Sequence, residues 1–117
     1  MKVVIAGGRD FRHKPQDWDW LDEFHREHRI TLVISGGATG ADRLGELWAG
    51  QNNIPVERMT ADWYKHGRAA GPIRNRRMAR EGDAVILFPG GRGTASMRKE
   101  AEKRDLSIFT VYPDFEQ

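Results

Sequence analysis

Five short apolar runs, separated by glycine-rich or polar exits and by segments of helical period, set the rhythm of this chain. Lys2–Ala6 (KVVIA) is β-branched and nearly uninterrupted, the composition of a strand covered on both faces, and it runs out into Gly7 and Gly8. Pro15 suits the first turn of a helix, and Trp18, Leu21 and Phe24 recur at three-residue spacing. Together they predict an amphipathic helix from Pro15 to about His28 with a charged outer face. Residues 30–34 (ITLVI) predict a second strand; SGGATGAD follows, and Leu44, Leu47 and Trp48 mark the apolar stripe of a second helix. Residues 55–59 predict a weaker third strand, with Val56 and Met59 its apolar members, and its helix is expected after Gly71 and Pro72. A strand over 84–88 (AVILF), the exit loop PGGRGT, a helix over 95–103 and a strand over 106–111 close the series. Strands alternating with helices imply an α/β fold: a parallel sheet of about five strands, right-handed crossovers and helices on both faces, a three-layer α/β/α sandwich.

The 117 residues are expected to form one domain over 1–117. Apolar residues at 38% and charged residues at 31% match a folded globular chain, and no apolar run approaches the roughly 20 residues of a membrane span. The N-terminus turns to glycine and charge too early for a signal peptide, so a cytoplasmic location without membrane contact is the expectation. With no cysteine, thiolate chemistry, disulfides and cysteine-bound zinc are excluded, and His13, His25, His28 and His66 lack the spacing of a metal site. The formal charge of +2 is too small for a dedicated nucleic-acid binder. Its distribution says more: Lys65, His66, Arg68, Arg74, Arg76, Arg77 and Arg80 crowd into one stretch opposed only by Glu81.

In an open parallel sheet, ligands bind beyond the carboxyl ends of the strands, and three glycine-rich exits fall there. They are Gly7-Gly8-Arg9-Asp10, Ser35-Gly36-Gly37-Ala38-Thr39-Gly40 and Pro89-Gly90-Gly91-Arg92-Gly93-Thr94. Glycine admits close backbone approach, and amides at the following helix N-termini suit an anion, phosphate above all. Taken singly, each pair is equally the ordinary residue of a tight turn. Neither a dinucleotide-binding G-x-G-x-x-G nor a Walker G-x-x-x-x-G-K-[ST] stands in its required context, which argues against those two sites. Thr39 and Thr94 are placed to bind phosphate or to cap the next helix. Asp42, in a first helical turn, complements the helix dipole or aims at a ribose hydroxyl. Asp10 and Asp42 are the candidate catalytic carboxylates, with an Asx-turn the alternative for Asp10. Arg9 and Arg92 are placed to close over an anion. Trp63 and Tyr64 either stack a base or seal the sheet edge, whereas Trp18, Trp20 and Trp48 read as packing.

The ordered set GGRDF (7–11), SGGATGAD (35–42), ADW (61–63), AAGPIRNRRM (69–78) and FPGGRGTASM (88–97) resembles the YspA-related branch of the SLOG superfamily over nearly the whole chain. The resemblance implies a Rossmann-like fold and a nucleotide or nucleotide-derived ligand, with no further cofactor required. It adds Arg74 and Asn75, the RN pair of the family motif, to the ligand-binding candidates, Arg74 through bidentate contact with phosphate. Arg76, Arg77 and Arg80 are assigned to the surface or to subunit contacts, since the resemblance also implies a homodimer or higher homo-oligomer. The related LOG phosphoribohydrolases follow PGGxGT with acidic residues, the second a glutamate that assists N-glycosidic cleavage. Ser96 and Met97 stand there in this chain, and neither can act as a carboxylate. The leading expectation is therefore a nucleotide sensor or sequestering module. A nucleotide hydrolase using Asp10 or Asp42 is the first alternative, and single-strand DNA binding along residues 65–80, by similarity to DprA, the second.

Overall fold

The computed structural model describes residues 1–113. In chain order the elements are β1 (Lys2–Ala6), α1 (Pro15–His28), β2 (Leu32–Ser35), α2 (Ala41–Gln51), β3 (Val56–Arg58), the short α3 (Trp63–His66), a 3₁₀ turn (Gly67–Ala69), α4 (Ala70–Glu81), β4 (Ala84–Leu87), α5 (Arg92–Lys103) and β5 (Ser107–Thr110). All strands are parallel in the order β3-β2-β1-β4-β5, which is a Rossmann-like topology. β1 is central: Lys2 pairs with Leu32 of β2, and Val3 to Ala6 pair with Ala84 to Leu87 of β4. The chain leaves β1 toward one side of the sheet and leaves β4 toward the other, so the crevice lies between their carboxyl ends.

Alternation along the buried strands divides the core into two layers. Val3, Ile5, Val33 and Ile86 pack with Leu21 and Phe24 of α1 and Leu44 and Trp48 of α2. Val4, Ile34, Val85 and Leu87 pack with Met78 of α4 and Met97 and Ala101 of α5. The three layers are thus α1–α2, sheet and α4–α5, as the alternation of elements predicts. Trp48 is fully buried, and its indole N–H donates to Asp22 Oδ1 at 2.9 Å, tying α2 to α1. Asp17, buried at the start of α1, accepts the Lys14 N–H at 2.7 Å and the Tyr112 hydroxyl, anchoring the chain beyond β5. Among the described residues, no helix is long and apolar enough to cross a membrane.

Several boundaries differ from the sequence expectation for identifiable reasons. β2 begins at Leu32 rather than 30, because Arg29 caps α1 in the left-handed conformation and the Ile30 N–H is taken by His25 Nδ1 at 2.9 Å. Leu47 is 46% exposed, outside the α2 arc of Ala41, Leu44, Gly45, Trp48 and Ala49 that faces the sheet. α4 starts at Ala70, two residues before Pro72; proline is tolerated there because first-turn N–H groups need no helical partner. α5 starts at Arg92, not at 95, since the Ala95 N–H reaches back to the Gly91 carbonyl at 3.0 Å. Arg92, Gly93 and Thr94 are therefore helix, not loop.

Gly40, the residue before α2, combines a left-handed backbone with close backbone contact. Its φ is +74°, and a Cβ there would stand 2.1 Å from the Gly8 carbonyl oxygen. Gly40→Ala is expected to destabilise the fold by about 2–3 kcal/mol, lowering Tm by roughly 10 °C. Gly50→Ala, where a Cβ meets nothing within 4 Å, should leave stability unchanged or raise it by about 0.5 kcal/mol. Thermal denaturation of the two variants checks the contrast.

Candidate functional site

The exits of β1, β2 and β4 converge on one residue. The Gly8 N–H donates to the Pro89 carbonyl at 2.8 Å, and the Gly8 carbonyl accepts from Ala41 N–H at the start of α2 at 3.2 Å. The Thr39 hydroxyl donates to the adjacent Arg9 carbonyl at 3.1 Å. Between these loops and the short α3 opens a cavity of about 770 Å³ at the carboxyl edge of the sheet, within the size range of small-molecule sites.

The predicted residues divide into those that line this cavity and those that build it. Gly7, Gly8, Arg9, Gly36, Gly37, Thr39 and Asp42 line it from the β1 and β2 exits. Trp63, Arg74 and Asn75 line it from the α3–α4 side, and Gly91, Arg92, Gly93 and Thr94 from α5. Ser35, Gly40, Pro89 and Gly90 do not line it. Ser35 is buried, donates to Glu46 Oε2 at 2.6 Å and accepts the Gly37 N–H at 3.0 Å, so it shapes the loop from behind. Gly90 leaves room for Thr94, whose Oγ1 lies 2.0 Å from where a Gly90 Cβ would be. Asp10 is exposed and lies outside the cavity, which leaves Asp42 as the candidate carboxylate inside it.

The three loops are chemically unequal. In the β2 exit, amides are already engaged: Gly37 with Ser35, Ala38 with Asp42 Oδ2 at 3.1 Å and Ala41 with Gly8. In α5, Gly91 is the N-cap without a side-chain cap, so Arg92, Gly93 and Thr94 present first-turn N–H groups that have no partner within the helix. Neither threonine caps a helix: Thr39 bonds Arg9, and Thr94 is the third residue inside α5. Thr94 is 7% exposed, and its hydroxyl makes no hydrogen bond to another described residue. As no fully occluded side-chain N or O atom lacks a partner among the described residues, that hydroxyl opens toward the cavity.

Arg74 and Asp42 approach each other over Gly36; a Cβ there would stand 2.5 Å from Arg74 Nη1 and 2.9 Å from Asp42 Oδ2. Arg74 Nη1 donates to the Gly36 carbonyl at 2.9 Å and its Nε to Asn75 Oδ1 at 2.9 Å, so two of its three nitrogens hold protein rather than facing a ligand freely. Asn75 Nδ2 in turn donates to Ser96 Oγ at 3.1 Å and Gly93 O at 3.3 Å, tying α4 to the first turn of α5. Burial pushes the Asp42 carboxyl above the usual carboxylate range, against the opposing pull of the Ala38 N–H, Arg74 and Arg9. Glu46 behaves oppositely: burial acts to raise it, but hydrogen bonds from Arg58 and Ser35 outweigh burial and hold it below its ordinary value. Met97, at the position of the LOG glutamate, is buried and forms cavity wall beside Ser96.

Sequence reasoning did not single out Arg68 as a lining residue or the Glu46 anchor behind the β2 exit. Arg68 lay within the basic stretch, but its placement depends on the 3₁₀ turn, for which the sequence carries no periodic signal. The basic stretch is not one face: Arg68 and Arg74 line the cavity, Arg76 lies 3.8 Å from Glu100, and Arg77 and Arg80 are exposed. Trp63 is 50% exposed at the cavity mouth, while its neighbour Tyr64 is fully exposed outside it.

The Asp42 shift has a defined sign. The folded protein holds this proton to higher pH than the unfolded chain does, so its stabilising contribution is full below the ordinary carboxylate value of about 4 and is lost as pH rises through the raised one. Asp42→Asn should therefore gain stability relative to the parent as pH increases from about 4 to 8. Urea denaturation across that range measures it; a difference that stays flat with pH would contradict the assignment.

Residues 1–66 match a family model described as the YspA, cpYpsA-related SLOG family. The gene 61 protein of Mycobacterium phage D29 is 39% identical over 117 aligned residues, spanning 92% of this chain and 94% of that protein.

Proposed function

Because this chain belongs to the YspA, cpYpsA-related SLOG family, which points to nucleotide-related ligands, we propose that it binds a nucleotide or nucleotide derivative in the cavity, as a sensor or sequestering module. The observation that carries this reading is the first turn of α5. Three N–H groups without helical partners and the hydroxyl of Thr94, a buried residue, share one wall of the cavity, at the positive end of a 12-residue helix. Such a helix end favours an anion, and phosphate offers enough acceptor oxygens to meet several donors at once. Arg92 beside it and Arg9 across the crevice add charge, while Trp63, Pro72 and Met78 supply apolar surface for a base.

A second reading, hydrolysis of the bound nucleotide, is favoured by Asp42 alone, a desolvated carboxylate in the cavity. It cannot follow the LOG mechanism unchanged, because Met97 carries no proton to give or take.

The test is a panel of nucleoside mono-, di- and triphosphates and ADP-ribose-type nucleotides, read by thermal shift and then by chromatography of each mixture. A bound ligand at a hundredfold excess over its Kd should stabilise the protein by roughly 2.7 kcal/mol. Recovery of the ligand intact supports the sensor; released base or phosphate that disappears in Asp42→Asn supports the hydrolase. Thr94→Val keeps the side-chain shape and should weaken binding about tenfold, roughly 1.4 kcal/mol, with little change in the unliganded Tm. No shift with any nucleotide, or full affinity in Thr94→Val, contradicts the assignment.

A further inference from the structure

We infer that Asp42 reads a ribose hydroxyl, so that the site selects ribonucleotides over their deoxy counterparts. The inference rests on the nucleotide reading above and adds to it the orientation and sugar class of the ligand.

Asp42 is the one carboxylate among the described residues that line the cavity, and it is 6% exposed. One oxygen, Oδ2, accepts the Ala38 N–H at 3.1 Å, and the side chain makes no other hydrogen bond to a described residue. Since no fully occluded side-chain oxygen lacks a partner among the described residues, Oδ1 is reachable from the cavity. Arg74 and Arg9 act on Asp42 through space, yet neither lies within 4.0 Å as an ion pair. The carboxylate is therefore held by its own loop, with one acceptor oxygen kept open.

A phosphate is the wrong occupant for that position, because the ionised carboxylate repels it. A hydroxyl is the right one: it is neutral, it donates, and a hydrogen bond to an ionised acceptor is among the stronger kinds. The position relative to α5 fits a nucleotide's layout. The first turns of α5 and α2 flank the same residue: Gly8 bonds Pro89 before α5 through its N–H, and Ala41 at the head of α2 through its carbonyl. A phosphate on Arg92, Gly93 and Thr94 thus places the attached sugar across Gly7 and Gly8, toward Asp42. Gly36 keeps this path open, as any Cβ there would collide with Arg74 and Asp42. An analogue lacking the hydroxyl leaves a desolvated carboxylate oxygen without its donor, a larger penalty than removal of an apolar contact.

The test uses isothermal titration of the full chain with AMP, GMP, CMP and UMP, each beside its 2′-deoxy and 3′-deoxy form. The ribonucleotide that binds is expected to exceed at least one of its deoxy forms by roughly 30- to 100-fold in affinity. In Asp42→Asn, which retains an acceptor for the Ala38 N–H, that ratio should fall below about fivefold. A merely structural role for Asp42 would weaken all forms together and leave the ratio intact. Equal affinities for all sugars on the parent protein, or a ratio that survives in Asp42→Asn, overturn the inference while the nucleotide reading stands. Binding of none of the probes defeats this inference, and the phosphate panel then decides the reading beneath it.

Discussion

The backbone of Gly8 joins three loops that the sequence keeps far apart. Its N–H is fixed by Pro89 of the β4 exit and its carbonyl by Ala41 at the head of α2, while the next carbonyl, that of Arg9, takes the Thr39 hydroxyl. These bonds run across the point where the chain departs to opposite faces of the sheet. The cavity wall is thereby fixed by the protein's own hydrogen bonds without a ligand, so a ligand has less disorder to remove on binding. The glycines follow from this packing. A Cβ on Gly7 would strike Ala41 and Phe88, one on Gly40 would strike the Gly8 carbonyl, and one on Gly90 would strike Thr94 and the Gly8 N–H.

With the loops fixed, their chemistry separates. The β2 exit engages its Gly37 and Ala38 amides internally and offers a buried carboxylate, whereas the first turn of α5 offers N–H groups without helical partners, a hydroxyl and Arg92. On the proposed reading one wall takes a negative group and the other a neutral donor, with Trp63 at the mouth. Asn75 couples the two helices of that side, gripping Gly93 and Ser96 from α4 while holding Arg74 in place. Arg74 and Asn75 accordingly contribute as much by positioning the walls as by touching whatever binds.

The fold was legible because its signals are local and strong. Runs such as Lys2–Ala6 and the apolar stripe of α1 are set by burial on a parallel sheet, and the alternation leaves few topologies. The three glycine exits meet at the cavity, but their composition does not tell a glycine that lines it from one that makes room for a neighbour. Gly40 and Gly90 belong to the second kind. The start of α5 was misplaced because glycines at 91 and 93 read as loop, although the backbone closes its first turn at Gly91. Thr94 is therefore a helical residue and not a cap. Asp10 and Asp42 look alike in sequence; only the tertiary fold exposes one and buries the other in the cavity. The α3 and 3₁₀ turns that bring in Trp63 and Arg68 are too short to leave a periodic signature.

The central claim is that the first turn of α5 holds the phosphate of a bound nucleotide, and backbone amide NMR tests it most directly. Titration with the tightest-binding nucleotide of the panel should shift the amide resonances of Arg92, Gly93 and Thr94 most strongly, with inorganic phosphate moving the same three at higher concentration. Shifts confined to the exposed Arg77 and Arg80 face of α4, with the α5 amides unmoved, would contradict it.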